Sequence, residues 1–330
     1  MEIKLKLALD AMGGDNAPQA IIEGAYIALE ENKDLEIYLF GHEEKMAPFL
    51  KVHPRLTTIH CEEVVEGEDD PARAVRRKKD SSMAKMLQAV ADGQADACLS
   101  AGNTGALMAG GLFVVGRIDG VQRPALATTL PTLDGRGFLM LDLGANADAK
   151  PEHLLQYAIM GNIYAKKVTG IQTPKLGLLN IGTEDKKGNE VTKATFSLLK
   201  EADVNFTGNV ESRDLFEGLV DVLVTDGFTG NMVLKTIEGT VISMFSMMKD
   251  AFTSSTKAKV GYVLAKDGLR GIKHKMDYSE YGGAALFGLK APVIKAHGSS
   301  NSRAIVSAIK QANLMVEHSV CETIAKTINA

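Results

Sequence analysis

Six short apolar runs of the sequence each lead into glycine next to Asn, Asp, Thr or Ser, and these small polar residues are the ones that could carry chemistry. The loops are AMGGDNAP at 11–18, AGNTGA at 101–106, LGAN at 143–146, IGTE at 181–184, DGFTGN at 226–231 and HGSSN at 297–301. Glycine lets the backbone approach a ligand closely. A loop that opens a helix presents free N–H groups and a positive dipole end to an anion. The pattern predicts a site that positions anions.

The loop AGNTGA is the strongest phosphate-binding candidate, because it follows the strand pattern DACLS and opens a helical stretch that runs to Gly116. The alternative is an ordinary tight turn between a strand and a helix. The first loop is expected beside it, although Asp10 and Asp15 would repel phosphate and are better suited to orient donors or lysines. The predicted phosphate-binding residues are Asp10, Gly13, Gly14, Asp15, Asn16, Gly102, Asn103, Thr104 and Gly105.

Four other loop residues are candidates for catalysis. His297 could act as an acid or bind phosphate, or it could be a structural histidine bonded to backbone. Asn231 could donate a hydrogen bond to a ligand or cap a helix. Lys187 could be a counter-charge for phosphate or a solvated loop lysine. Asp226 fits an acceptor that organises its loop better than it fits a base.

Several enzyme and binding classes lack their signatures in this sequence. There is no Gly-Lys dipeptide for a Walker A loop, no GxGxxG after a strand, no HExxH and no GxSxG. The three cysteines, Cys61, Cys98 and Cys321, show no ligand spacing and fit a reducing cytosol. The net charge is −4 and tryptophan is absent, which argues against a nucleic-acid surface. We therefore expect no cofactor, no metal and no nucleic-acid partner.

The elements that must hold these loops alternate between strand and helix. Unalternated apolar runs of strand length are found at 6–10, 96–100, 138–142, 175–180, 221–225 and 293–296, and the stretches 35–40 and 57–61 look like further strands. Helical patterns at 152–167, 191–200 and 302–328 lie between or after them. This order predicts an α/β fold with a doubly wound, mostly parallel sheet, whose glycine-rich loops meet at one edge. No linker is visible, so 1–330 is expected to be one catalytic domain.

The segment 231–281 departs from the alternation, since it continues as helix without a strand run. We interpret it as a helical insertion for dimer contact, membrane contact or both. Within it, Val260, Val263 and Leu264 lie among lysines, which is typical of an amphipathic tip that rests on an anionic bilayer. A dimer-packing helix is the alternative. No signal peptide or membrane span is expected.

A basic run lies at the start of a predicted helix, just after Pro71. Its members are Arg73, Arg76, Arg77, Lys78 and Lys79. A charge run of this kind is usually a solvated face. The alternative is a docking surface for an acidic carrier protein, which basic charges would steer into place.

Seven segments of the sequence resemble motifs of the bacterial phosphate acyltransferase family, PlsX. They are LDAMGGDNAP at 9–18, SAGNTGA at 100–106, LDLGAN at 141–146, NIGTEDKKGNE at 180–190, GNVESRD at 208–214, VTDGFTGNMVLKTIEG at 224–239 and KAHGSSN at 295–301. The resemblance implies a fold similar to that of phosphotransacetylases and isopropylmalate dehydrogenases. It also implies transfer of a fatty acyl group from acyl-[acyl carrier protein] to inorganic phosphate, giving acyl phosphate for phospholipid synthesis.

The resemblance further implies a homodimer in the cytoplasm, peripherally associated with the membrane, that works with an integral glycerol-3-phosphate acyltransferase. Three other functions stay open on the loops alone. They are a phosphotransacetylase that uses acyl-CoA, a decarboxylating dehydrogenase on the related fold and a non-catalytic phosphate-sensing scaffold. The dehydrogenase would need a nicotinamide site and a carboxylate cluster for a metal, neither of which the motifs show. The acyl-chain length, any general acid or base, the carrier-docking surface and the mode of membrane association are not encoded in a readable pattern.

Overall fold

A computed structural model describes residues 5–276 and 282–329, and in these ranges it holds one sheet of eleven strands covered by helices on both faces. The strands are β1 (Leu5–Asp10), β2 (Leu35–Gly41), β3 (Leu56–His60), β4 (Ala97–Ser100), β5 (Ala125–Leu130), β6 (Phe138–Leu141), β7 (Leu176–Asn180), β8 (Phe206–Glu211), β9 (Val222–Val224), β10 (Ala284–Phe287) and β11 (Val293–Lys295).

The helices alternate with these strands along the chain. They are α1 (Gln19–Glu31), α2 (Glu43–Met46), α3 (Pro71–Arg77), α4 (Ser82–Ala91), α5 (Thr104–Gly110), α6 (Pro151–Lys167), α7 (Glu190–Glu201), α8 (Gly227–Thr253), α9 (Thr256–Met276), α10 (Ser302–Glu317) and α11 (Val320–Ile328). Among the described residues, no helix is both long enough and apolar enough to span a bilayer.

The strand order is β3-β2-β1-β4-β11-β10-β5-β6-β9-β7-β8. Seven of the ten neighbouring pairs are parallel, so the predicted α/β class with a mostly parallel sheet is confirmed. The remaining three pairs, β11 with β10, β10 with β5 and β5 with β6, are antiparallel. The sheet is thus two parallel blocks joined through an antiparallel centre.

This centre overturns the prediction that all six glycine-rich loops meet at one sheet edge. Three successive antiparallel pairings reverse the strand direction an odd number of times, so β6, β7 and β9 run opposite to β1, β4 and β11. The loops after β1, β4 and β11 therefore lie at one edge, and those after β6, β7 and β9 lie at the other. The sequence patterns had not predicted β5, β8 or β10, and two of these three strands cause the reversal.

Each face of the sheet carries its own core. One core packs the first, sixth, tenth and eleventh helices through residues such as Ile22, Leu154, Ile309 and Ile324. The other core lies under α4, α5 and the first turns of α8. Burial on both faces is the reason that the strands have apolar runs without alternation. It also confirms the doubly wound arrangement.

The predicted helix 302–328 is two helices, α10 and α11. Ser319 between them has a φ of 49°, which is left-handed backbone that no α-helix continues through. The segment predicted as a helical insertion is helical as α8 and α9, with α8 beginning at Gly227 rather than at 231, and 277–281 lies outside the described residues. Only Gly227 and Gly230 of α8 are buried, so most of this pair is surface.

Candidate functional site

Three neighbouring parallel strands, β1, β4 and β11, end in polar residues at one edge of the sheet. Ser100 is the register partner of Lys295, and Leu9, just before Asp10, is the partner of Leu99. Asp10, Ser100 and Lys295 therefore sit at one level. All three are buried, at 2%, 0% and 9% exposure. Buried polar residues side by side at strand ends mark the first part of the site.

Asp10 and Ser100 connect the first loop to the second. The Ser100 hydroxyl donates to Asp10 Oδ2 at 2.6 Å, and the Gly102 amide donates to Ser100 Oγ at 3.0 Å. Burial raises the pKa of Asp10, while the Ser100 hydroxyl and nearby amides act in the opposite direction. Asp10 thus organises donors, as the sequence suggested for it, and holds the turn at 102 in place.

Glycine at position 13 is required by space. A Cβ there would lie 2.6 Å from the Gly102 nitrogen and 2.7 Å from Asp10 Oδ2. Gly14 has a φ of 98°, in the region that favours glycine, and its Cβ would lie 2.9 Å from the Gly298 carbonyl oxygen. The two glycines let the first loop touch the 102 turn on one side and the loop after β11 on the other.

Asn16 and Asp15 fasten the first loop to the loop after β11. The Asn16 side-chain amide donates to the carbonyls of Ser299 and Ser300, both at 3.1 Å, and the Asp15 amide donates to the Gly298 carbonyl at 2.8 Å. The structure therefore brings together the three predicted loops at this edge as one bonded cluster. We call the residues 10–16, 100–105 and 295–301 the phosphate-loop cluster.

Asn103 holds the turn in position with its side chain. Its Oδ1 accepts from the Ala106 amide at 3.0 Å, and its Nδ2 lies within 3.0–3.2 Å of the carbonyls of Glu66, Gly67 and Asp69. The backbone amides of residues 103–105 have no acceptor among the described residues. These three amides, rather than the Asn103 side chain, are the donors that an anion can use. The sequence could not distinguish them.

Gly105 and Thr104 complete the turn. A Cβ on Gly105 would lie 2.6 Å from Pro71 Cγ, so this glycine allows α5 to pack against α3. Thr104 is exposed at the surface of the same turn. Gly105 thus has a packing role, while the amides of residues 103–105 are left available to an anion.

Lys295 is the residue at this edge that the sequence analysis did not assign. Its Nζ donates to the Ala101 carbonyl at 3.2 Å and also to the Ala296 carbonyl. Burial lowers its pKa to about 8, although the charges of Asp10 and Asp15 favour the protonated form. A lysine that ends the apolar strand VIK, just before a glycine-rich loop, was the signal that could have identified it.

His297 follows at the exposed rim of the cluster. Its Nδ1 accepts from the Ser299 amide at 3.2 Å and lies 2.8 Å from Ser299 Oγ. Because an amide can only donate, Nδ1 is the acceptor and the neutral ring carries its proton on Nε2. Nδ1 is thus held by the backbone of its own loop, as expected of a structural histidine, and the role of an acid stays a prediction.

The opposite edge has its own organising carboxylate, Asp142. It accepts from the amides of Leu126, Ala145 and Asn146 at 2.8–2.9 Å. Burial raises its pKa and these hydrogen bonds act against that rise. The Asn146 side chain in turn donates to Asp142 Oδ2 and to the Tyr157 hydroxyl. Four donors on a buried carboxylate indicate a structural anchor for the loop LGAN.

The remaining catalytic candidates belong to this second edge. Asp226 caps α8 by accepting from the Thr229 amide at 2.8 Å and its hydroxyl at 2.7 Å, as an acceptor that organises its loop would. Asn231 does not cap the helix, because it is the fifth residue of α8 and is exposed. Lys187 is exposed, with its Nζ 3.9 Å from Glu184 Oε1.

Helix α8 connects the two edges. It starts beside LGAN, where a Cβ on Gly230 would lie 1.9 Å from the Asp142 carbonyl oxygen. Its residues Val233, Leu234 and Ile237 then pack on the same core as α4 and α5. One turn beyond Asn231, the Lys235 ammonium is close enough for its charge to contribute to the lowered pKa of Lys295. The helix therefore starts at the edge that holds LGAN and packs on the core shared with α5, whose first turn belongs to the phosphate-loop cluster.

The basic run lies next to the phosphate-loop cluster, because α3 and α5 are in contact through Pro71 and Gly105. Its exposed members are Arg73, Arg76, Arg77 and Lys79. Lys78 is half-buried, donates to the Val64 carbonyl at 2.8 Å and is paired with Asp69 at 2.5 Å. The run is thus a row of four exposed cations with one structural lysine.

Apolar side chains project from α8 and α9. Val260, Val263 and Leu264 are 58%, 69% and 83% exposed. Ile242 and Met247 on α8 are 70% and 64% exposed. Exposed apolar residues at this density are unusual for a face that meets only water.

Comparison with known proteins gives a consistent result over nearly the whole chain. The sequence model of the family described as "Fatty acid synthesis protein" matches residues 5–323. The chain is 74% identical over 324 residues to a phosphate acyltransferase of Lysinibacillus sphaericus, covering 98% of both chains. It is 61% identical, over 98% of both chains, to a phosphate acyltransferase of Bacillus licheniformis.

Solved structures share the fold at much lower identity. A phosphotransacetylase from Streptococcus pyogenes superposes with a TM-score of 0.61 at 16% identity, over 96% of both chains. A branched-chain phosphotransacylase from Enterococcus faecalis gives a TM-score of 0.59 at 16% identity, over 95% of this chain and 99% of that one. These two likenesses establish the α/β architecture, as the motifs had implied.

Proposed function

This chain belongs to the Fatty acid synthesis protein family, and we propose that it moves a fatty acyl group from the thioester of acyl carrier protein to inorganic phosphate. The resemblance to the phosphate acyltransferase family, PlsX, is confirmed. The chain is an enzyme that transfers an acyl group to phosphate. The carrier-protein donor, the roles of individual residues and the partners are our proposals.

The reaction needs positioning more than it needs a strong acid or base. A phosphate oxygen attacks the thioester carbon, the C–O bond forms and the C–S bond breaks. The thiolate takes the proton of hydrogen phosphate, so acyl phosphate and free carrier thiol are the products. Thiolate is a fair leaving group, with a thiol pKa near ~8.5. Holding two reactants in line can lower the barrier by roughly 7–11 kcal/mol.

The observation that carries the proposal is the phosphate-loop cluster. Its three loops are tied together by Asn16, Ser100 and the glycines, and within the described ranges the amides of residues 103–105 have no acceptor. Unpaired amides at the end of a parallel strand bind anions. Gly102, Asn103, Thr104 and Gly105 would cradle phosphate, and 10–16 would form the adjoining wall.

Among the four catalytic candidates, His297 is the one that lies in this cluster. We assign it a hydrogen bond from Nε2–H to the leaving thiolate sulfur, whose proton comes from hydrogen phosphate, since Nδ1 is held by the loop. Asp226, Asn231 and Lys187 follow strands that end at the other edge. Asn231 would donate to the acyl oxygen, Asp226 would keep α8 in register for it, and Lys187 would attract the anion from solvent.

The carrier protein would dock on the row Arg73, Arg76, Arg77 and Lys79. Its three arginines lie on α3, which packs directly against the phosphate-binding turn, and Lys79 follows the end of the helix. Reversing Arg73 and Arg76 to glutamate should raise the Michaelis constant for the carrier substrate more at low salt than at high salt. Reversal of the distant Lys310, which pairs with Glu31 at 2.8 Å, is the matched control. An unchanged constant at low salt would dismiss this docking surface.

The exposed apolar residues of α8 and α9 would serve assembly and membrane contact. We assign Val260, Val263 and Leu264 to an anionic bilayer, placing the protein in the cytoplasm at the membrane, and the rest of the pair to a homodimer. A membrane glycerol-3-phosphate acyltransferase would then receive the product. Liposome co-sedimentation should fall for Val263→Glu with Leu264→Glu. Equal sedimentation of this variant and wild type would reject the contact.

The deciding experiment incubates the protein with palmitoyl-carrier protein and labelled phosphate. A labelled product that hydroxylamine destroys, formed together with free carrier, is the expected result. Faster turnover of palmitoyl-CoA than of the carrier thioester would make the protein a phosphotransacetylase acting on acyl-CoA. Phosphate binding without any release of carrier would leave only the scaffold function.

A further inference from the structure

The Lys295 ammonium is a buried positive charge that the protein does not neutralise by contact. It is 9% exposed and donates two of its three N–H groups, both to backbone carbonyls. In the part of the chain that the structure describes, no carboxylate lies within ion-pair distance of it and its third N–H has no acceptor. Buried charges in proteins are paired or hydrogen-bonded throughout, because desolvation of a lone charge is costly.

The two carboxylates nearby do not remove this imbalance. Asp10 accepts from the Ser100 hydroxyl and the Met12 amide, and Asp15 is exposed at the rim. Their charges act on Lys295 from a distance, and the Lys235 ammonium on α8 acts against them. Holding two carbonyls does not require a buried charge, because a neutral donor could make the same hydrogen bonds with a smaller loss of solvation free energy.

The position of Lys295 indicates which anion could accept its third N–H group. Its Nζ is 3.2 Å from the carbonyl of Ala101, the residue just before the turn whose amides at 103–105 lack acceptors. The Lys295 ammonium therefore contacts the backbone segment that carries these amides, at the level where β1, β4 and β11 end. An anion that accepts from the turn can accept from the lysine as well.

We propose that Lys295 is a ligand of the attacking orthophosphate ion, to which it donates its remaining N–H group from beneath the turn. The inference rests on the proposed function and adds a residue to its phosphate site. During transfer, one phosphate oxygen bonds to the acyl carbon while the sulfur leaves with the proton of hydrogen phosphate. Lys295 keeps its own proton and stays on the phosphoryl group of the product.

The test compares wild type with Lys295→Met, which keeps the side-chain length and removes the charge. Lys290→Met is the matched control, since Lys290 is exposed on the segment between β10 and β11. With palmitoyl-carrier protein as donor, Lys295→Met should raise the Michaelis constant for phosphate about tenfold to a hundredfold, the range for a hydrogen bond to a charged group. The constant for the donor should change less than about twofold, because a phosphate ligand does not touch the carrier.

A binding measurement without the donor separates a ligand from a purely structural lysine. Phosphate should raise the melting temperature of wild type and of Lys290→Met, and this rise should be lost in Lys295→Met. A crystal of wild type grown with phosphate should place a phosphate oxygen within about 3.2 Å of Lys295 Nζ. This crystal decides the matter if the Met variant does not fold.

A folded Lys295→Met variant with normal phosphate kinetics and normal phosphate stabilisation would overturn the inference. So would an anion bound away from the lysine in the wild-type crystal. Both results leave the proposed function intact as long as wild type needs phosphate to release the carrier. Release of carrier by wild type in the absence of phosphate would instead remove the proposed function.

Discussion

Replacing Gly13 with alanine tests whether the first loop and the 102 turn form one site. The new Cβ would lie 2.6 Å from the Gly102 nitrogen, where ordinary contact begins at 3.4 Å, so the two segments must separate by about 0.8 Å. The atoms it meets are a backbone nitrogen, Asp10 Oδ2 and Ser100 Oγ, all held by hydrogen bonds. The structure has no flexible side chain there that could yield.

Two consequences of this displacement can be measured. Overpacking of this kind lowers the free energy of unfolding by roughly 1–3 kcal/mol, which urea denaturation would show. A misplacement near 1 Å in a positioning site can cost on the order of a hundredfold in rate, so kcat/KM for phosphate should fall by that amount. Gly67→Ala is the control, because its Cβ meets nothing within 4 Å although the Gly67 carbonyl also holds Asn103. Unchanged kinetics in a folded Gly13→Ala variant would refute the joint site.

Three other perturbations have defined outcomes. Asn103→Ala removes the cap of α5 and the bonds to three carbonyls, so its free energy of unfolding, measured by urea denaturation, should fall by at least about 1 kcal/mol. Gly230→Ala places a Cβ 1.9 Å from the Asp142 carbonyl and should cost about 3 kcal/mol, whereas Gly239→Ala in open space on the same helix should be neutral or stabilising. Since burial lowers the pKa of Lys295 from 10.5 to about 8, the unfolded chain binds the extra proton between these values. The free energy of unfolding of wild type should therefore increase as the pH rises from about 8 to 10.5. Melting curves recorded across this pH range should show the increase for wild type and not for Lys295→Met.

The fold class followed from the sequence because burial on both faces leaves a direct pattern. The run that became β7, Leu176–Asn180, is buried at every position without alternation, and the strands formed where such runs predicted them. The reversal of direction was not readable. It depends on β5 and β10, and nothing in either stretch specifies the orientation of its neighbours, because pairing is set by contacts distant along the chain.

The candidate site was predicted in its loops but not in its details. Glycine and small polar residues after β1, β4 and β11 identified the cluster correctly. The roles of the individual groups became clear only from the contacts. The Asn103 side chain is bonded to three carbonyls, while the neighbouring backbone amides have no acceptor among the residues that the structure describes. Lys295 was missed because a lysine is normally exposed, and its burial depends on strands that flank it from remote parts of the sequence.

The position of α8 explains how loops at opposite edges can still contact one substrate. The central strands β6 and β10 have only four residues each, so the two edges are about 13 Å apart at 3.3 Å per residue. From Gly227 to Lys235 a helix rises about 12 Å at 1.5 Å per residue, which is nearly the same length. Asp226 and the Gly230 contact fix the start of α8 at one edge, and Val233, Leu234 and Ile237 pack on the core shared with α5, whose first turn lies at the other. A ligand bound along these first turns can therefore have its phosphate end at the phosphate-loop cluster and its acyl carbonyl near Asn231. This arrangement requires α8 to keep its position. Gly230→Ala, although it lies far from the phosphate, should therefore lower the rate of acyl transfer.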